Sequence, residues 1–247
     1  MKVDFMICGT QKGGTTALAA YLNSHPQIFI PEAKEVHFFD NEDYDWRFPD
    51  WSHYHVHFSR AKEWQICGEA TPITMWWRPA MERLWRYNPH MKLIVLLRNP
   101  ITRAFSHWNM EVQRGAEALG FIEAIMQERE RCRVSLPLQH RVYSYVDRGF
   151  YVSQLREIWR FFPRSQLLVL RQEQLMLEPA TALEDVYSFL GLASTAFGGS
   201  IIKHRRSYDL PMSRQALHFL RQTYWHEICQ LQDLLDWDLA DWLQLGS

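Results

Sequence analysis

Cysteine is scarce in this chain: Cys8, Cys67, Cys132 and Cys229 lie far apart and form no C-x-x-C pair. That spacing points away from a zinc site or a disulfide framework and toward free thiols. Long apolar runs are missing as well, and none reaches the length of a membrane span. Neither sign of charge predominates, with 27 Lys and Arg against 28 Asp and Glu. No global field therefore recruits nucleic acid or an anionic membrane, and any anion site has to be local. The stretch from Met1 to Cys8 enters a short apolar strand without the apolar core and small-residue cleavage site of a signal peptide. The expectation is a soluble, cytoplasmic protein whose partner is neither nucleic acid nor membrane. No pattern in the chain encodes an oligomeric state.

What is present is material for a packed core, since 47% of the 247 residues are hydrophobic and 14% aromatic. Short apolar runs alternate with stretches of helical period, the signature of parallel β/α units. The spacing predicts strands over Val3 to Cys8, Gln27 to Ile30, Gln65 to Gly68, Lys92 to Leu97 and Gln166 to Leu170. Helices are predicted over Thr15 to Asn23, Arg78 to Tyr87, Ile101 to Gln113 and Phe121 to Arg131. A further helix carries Val152, Leu155, Trp159 and Phe162 on one face and stops at Pro163. The last one starts at Ser213 as N-cap and presents Leu217, Leu220, Tyr224, Ile228, Leu231 and Leu235 to the core. No repeat or long Gly/Ser/Pro linker interrupts the pattern, so the expected architecture is one P-loop-like α/β domain over residues 1–247, a central parallel sheet with helices on both faces.

The densest chemistry lies in Gly9-Thr10-Gln11-Lys12-Gly13-Gly14-Thr15-Thr16. An apolar strand ends at Gly9, the glycines permit close backbone approach, and a helix begins near Thr15, so amides and dipole face an anion. An ordinary P-loop reads G-x-x-x-x-G-K-[ST], with the hydroxyl residue holding magnesium. Here Thr15 stands in the lysine position and the cation has moved back to Lys12.

A second group follows the strand Leu93 to Leu97. In magnesium-dependent P-loop enzymes such a strand commonly ends in an aspartate near the metal, whereas this one ends in Arg98. Its guanidinium repels a cation and offers a fork for a phosphate, and Ser106, about two turns on, adds a hydroxyl donor. A third group is Lys34-Glu35-Val36-His37-Phe38-Phe39-Asp40, which leaves a strand end where ligands of α/β sheets gather. In an extended segment Glu35 and His37 project to one side, with Val36 and Phe38 on the other. Glu35 is then a candidate general base with His37 beside it, against the alternative that both are solvated.

Together QKGGTT, KEVHFFD, GEATP (Gly68 to Pro72), LLRNPITRAFS and a C-terminal basic segment resemble the sulfotransferases that use 3′-phosphoadenosine 5′-phosphosulfate. More narrowly, the chain is similar to bacterial members related to the heparan sulfate sulfotransferase domain. The resemblance implies a central parallel sheet flanked by helices. It implies that Lys12, Gly13, Gly14, Thr15 and Thr16 cradle the 5′-phosphosulfate, that Arg98 and Ser106 bind the 3′-phosphate, and that Glu35 is the base. Lys203, Arg205 and Arg206 fall where related enzymes close a basic loop over the nucleotide. Two departures stand out: Ala70 replaces a lysine before the Thr-Pro of the third motif, and no cysteine pair is available for a disulfide near the nucleotide loop. Both leave the acceptor open among carbohydrate hydroxyls, amines and other small-molecule hydroxyls.

Sulfuryl transfer then needs no metal: Lys12 stabilises the leaving phosphate oxygen, loop amides the equatorial oxygens, and Glu35 takes the acceptor proton, with adenosine 3′,5′-bisphosphate as product. The alternatives are a phosphoryl-transferring P-loop kinase and a nucleotide-binding module without catalysis. His53, His55 and His57 would share a face if that stretch were a strand, but no carboxylate or cysteine completes a ligand set. Seven of the 11 tryptophans lie between Trp46 and Trp108, and most are expected in packing, the rest in an acceptor cleft.

Overall fold

The structure is a computed structural model that describes residues 2–195 and 211–244. By its internal contacts the chain forms two compact units, Met1–Arg98 with Glu157–His204, and Asn99–Arg156 with Arg205–Ser247. In chain order the strands are β1 (Phe5–Gly9), β2 (Ile28–Phe29), β3 (Ile66–Glu69), β4 (Lys92–Leu97) and β5 (Leu167–Arg171). The helices are α1 (Thr15–Asn23), α2 (Ser52–His55), α3 (Arg78–Tyr87), α4 (Pro100–Gln113), α5 (Phe121–Met126), α6 (Glu128–Cys132), α7 (Tyr151–Phe161), α8 (Gln172–Leu177), α9 (Pro179–Leu190), α10 (Arg214–Leu235) and α11 (Ala240–Leu243). Among the described residues no helix is long and apolar enough to cross a membrane.

Among the described residues the five strands all lie in the first unit, in one sheet of order β2-β3-β1-β4-β5, and every pairing is parallel. Phe5 lies opposite Gly68 on one side and Lys92 on the other, while Ile94 faces Leu168. β4 has the boundaries its apolar run predicts. β1, β3 and β5 are shifted toward their carboxyl ends, starting at Phe5, Ile66 and Leu167, later than predicted, and ending one residue further, at Gly9, Glu69 and Arg171, because ladder pairing depends on backbone geometry and not on apolarity. β2 is shorter than Gln27 to Ile30: the Ile30 N–H donates to Asn23 Oδ1 at 3.0 Å and so leaves the ladder.

Strand alternation divides the core between the two faces of the sheet. Phe5, Ile7, Ile94 and Leu96 pack with Leu18 and Leu22 of α1 and Leu183 and Val186 of α9. The alternate set, Met6, Cys8, Leu93, Val95 and Leu97, is fully buried too, as a parallel sheet covered on both faces requires.

In the second unit, Asn99 caps α4 through Oδ1, which accepts from the Ile101 N–H at 2.9 Å. The predicted helix over Phe121 to Arg131 is two short helices, α5 and α6, which meet at Gln127. Ser213 caps α10 as expected, its Oγ accepting from Ala216 N–H at 3.2 Å. The buried face of α10 is Ala216, Leu220, Tyr224, Glu227, Ile228 and Leu231, whereas Leu217 and Leu235 are half-buried. Glu227 sits on that face because its carboxylate accepts the Val152 N–H at 2.7 Å. Along residues 151–162, the last six of which belong to the first unit, the buried apolar set is Tyr151, Val152, Leu155, Ile158 and Phe162; Trp159 is only half-buried.

Candidate active site

Parallel strands bring their carboxyl ends to one edge of the sheet, so the segments leaving β1, β2, β3 and β4 start there together. The segment after β1 is a tight turn. Lys12 and Gly14 both have left-handed backbones, φ 70° and 98°, and Gly14 is the N-cap of α1. A side chain at Gly13 would run into the Leu96 carbonyl oxygen, so only glycine fits between loop and β4. Gly14 C=O accepts from Ala17 and Leu18, which leaves Thr15 and Thr16 heading the helix with N–H groups directed out of its first turn. Thr15 is buried and Thr16 exposed.

Arg98, immediately after β4, donates from Nη1 to the Lys12 carbonyl at 3.1 Å. The guanidinium thus ties the strand end to the loop and helps fix the Lys12 backbone. Ser106 lies on α4 in the second unit, one of its buried positions. Lys203, Arg205 and Arg206 lie outside the described residues.

Glu35 and His37 do come together, but not by strand alternation. Both have left-handed backbones, φ 64° and 54°, so the segment is a sequence of turns and not an extended run. Such conformations are uncommon outside glycine and cluster at functional sites. Glu35 Oε1 accepts from Lys34 Nζ at 2.6 Å, and Glu35 Oε2 lies 3.5 Å from His37 Nε2. His37 Nδ1 donates to Asp40 Oδ2 at 2.9 Å, and Asp40 is fully buried. The His37 backbone N–H reaches Thr71 Oγ1 at 3.5 Å, which fastens the segment to the residues after β3.

The charges follow from these contacts. Burial alone would raise Glu35, but hydrogen bonds from His37 and Lys34 outweigh it and hold the carboxyl at about 2. The hydrogen bond to Asp40, then that to Glu35, raises His37 to about 9. At neutral pH Glu35 is therefore an anion and His37 a cation, with Lys34 on one side of the pair and Asp40 on the other. Lys34 and Asp40 are readable in the sequence only as neighbours in one motif; a carboxylate three residues after a histidine is the signal for the second.

Other candidates resolve differently. His53 and His55 fall on α2 and His57 on the tight turn Val56–Phe58, so the three share no strand face. Among the described residues no group of three or more His, Cys, Asp or Glu could hold a metal ion. Trp46 and Trp51 pack with Phe38, Phe39, Tyr54 and Tyr87 in an aromatic cluster. Trp64, by contrast, is exposed.

A family model described as a sulfotransferase domain matches residues 2–216. Human heparan sulfate glucosamine 3-O-sulfotransferase 5 is 30% identical over 190 residues, covering 76% of this chain and 53% of its own length. Human heparan sulfate glucosamine 3-O-sulfotransferase 6 is 34% identical over 187 residues, covering 76% of this chain and 52% of its own length. The chain thus spans about half the length of the curated relatives it matches. A solved sulfotransferase from Alicyclobacillus acidocaldarius superposes with a TM-score of 0.83 at 27% identity, covering 98% of this chain and 99% of that one. The sulfotransferase domain of the curacin biosynthetic pathway, at 13% identity and a TM-score of 0.52, covering 87% of this chain and 82% of that one, shares the fold.

Proposed function

Because the chain belongs to the sulfotransferase family, matched over residues 2–216, we propose that it moves a sulfuryl group from 3′-phosphoadenosine 5′-phosphosulfate to a hydroxyl or amine of a small-molecule or carbohydrate acceptor. The working unit in this reading is one sulfotransferase domain over residues 1–247. The observation that carries it is Glu35, ionised and oriented by Lys34 and His37, on the same sheet edge as the Lys12 loop.

The loop fits an anionic donor: its left-handed turn, its clearance at Gly13 and the start of α1 present amides to a phosphosulfate. Lys12 stabilises the charge that builds on the leaving phosphate oxygen, Thr15 and Thr16 hold equatorial oxygens, and Arg98 with Ser106 binds the 3′-phosphate. In this reading Lys203, Arg205 and Arg206 also bind the nucleotide. As the acceptor oxygen or nitrogen forms its bond to sulfur and the sulfur–phosphate oxygen bond breaks, the acceptor proton passes to Glu35. Glu35 is always unprotonated at neutral pH but weakly basic while Lys34 holds Oε1. An acceptor that displaces Lys34 strengthens the base at the moment it is needed. His37 keeps Glu35 aimed, and Asp40 keeps His37 in place.

The chain departs from a lysine at Ala70, so the carbohydrate acceptors named for its relatives do not transfer directly. Incubation with labelled sulfate donor and a metabolite extract, with the product identified by mass spectrometry, tests the reading. Turnover with ATP and magnesium, and none with the sulfate donor, would replace it with phosphoryl transfer.

A further inference from the structure

Glu69 ends β3 and is 1% exposed, and neither of its carboxylate oxygens has a partner at hydrogen-bonding geometry. An ionised carboxylate in that position is costly, and a protonated one much less so. The Tyr54 hydroxyl, from α2, is buried beside Glu69, near enough to act on its carboxyl without meeting hydrogen-bonding geometry. Thr71, two residues past Glu69, accepts from the His37 N–H, which places the end of β3 directly under the catalytic segment. The ionisable groups that act on Glu69 are His37 and Asp40 from that segment, Tyr54, and Tyr87 at the end of α3; Cys67 on its own strand and Asp4 ahead of β1 act on Tyr87 behind them. Burial, reinforced by the Asp40 charge and opposed by the Thr71 and Tyr54 hydroxyls and by His37, pushes Glu69 up to about 7.

We infer that Glu69 is a positioning residue which, by holding or releasing one proton, sets how firmly His37 stays a cation between Asp40 and Glu35. Protonated Glu69 is neutral and leaves the imidazolium to Asp40 and Glu35. Ionised Glu69 adds a third negative group and holds the imidazolium more tightly. The consequence for turnover rests on the proposed role of Glu35; the consequence for the imidazole does not.

The test is a histidine titration by NMR on the full chain, with the His37 signal identified by its loss in His37→Gln. The wild type is expected to show two steps at His37, a small one at about 7 from Glu69 and the main one at about 9. Glu69→Gln removes the first step and moves the main one to lower pH. Tyr54→Phe removes a group that holds Glu69 down and moves the first step to higher pH. A single step in the wild type, or a first step that survives Glu69→Gln, overturns the inference. Should the Gln variant fail to fold, a first step unmoved by Tyr54→Phe overturns it instead. In sulfate transfer, the pH profile of kcat inflects at the first step in the wild type and not in Glu69→Gln. Absence of any sulfate transfer beside an intact two-step titration would sink the proposed function and support this inference alone.

Discussion

Glu35 is pulled by two cations in opposite directions, and its neighbours account for what substitution should do. Glu35→Gln keeps the shape and the nucleotide loop, so it is expected to abolish turnover while the affinity for adenosine 3′,5′-bisphosphate, measured by calorimetry, changes little. Retained turnover would send the search for a base to His37 or Glu69. Arg98→Ala is expected to do the reverse and weaken nucleotide binding, since it removes the proposed phosphate fork and the hydrogen bond to the Lys12 carbonyl. The pH dependence of stability has opposite signs at the two partners. His37 is raised from 6.5 to about 9, so its stabilisation is complete below 6.5 and is lost as pH rises through about 9. Glu35 is lowered from 4.5 to about 2, so its share is present above 4.5 and lost as pH falls through about 2. Thermal melts should therefore show His37→Gln destabilising the protein at neutral pH and mattering far less above pH 9.

Elements were legible where one physical signal dominated. β4 is apolar on both faces and emerges with the boundaries its sequence predicts, and Ser213 announces α10 by its side-chain oxygen. Ser213→Ala is expected to cost about 1 kcal/mol in urea unfolding, the usual loss for an N-cap. Other elements were obscured by compensations that a linear pattern does not carry. Glu227 interrupts the apolar stripe of α10 because a backbone N–H from Val152 satisfies it at a distance in sequence. Glu227→Leu would leave that N–H unpaired and should cost about 1–3 kcal/mol despite the gain in apolarity. α9 offers readable signals, Pro179 at its first turn and Gly191 with φ 81° past its end. In the Lys34 to Asp40 segment the motif was legible but its geometry was not, because Glu35 and His37 occupy backbone conformations their residue types disfavour.

At the scale of the whole chain, near-equal charge of both signs gives a sequence pI of about 6.8 and little net repulsion at neutral pH. Solubility, measured by precipitation against pH, should therefore pass through a minimum close to that value and rise on either side. The sheet order is legible only in part from sequence: alternation announces parallel strands, but nothing local states that β1 lies between β3 and β4. That order has a practical consequence. With the proposed catalytic groups of the first unit gathered at the carboxyl ends of its strands, the turns that feed the opposite ends, such as Lys62 to Gln65 ahead of β3, carry none of them. The exposed position of Glu63, next to Trp64, is thus a place to attach a dye or a surface tether while the reacting edge stays open to large acceptors.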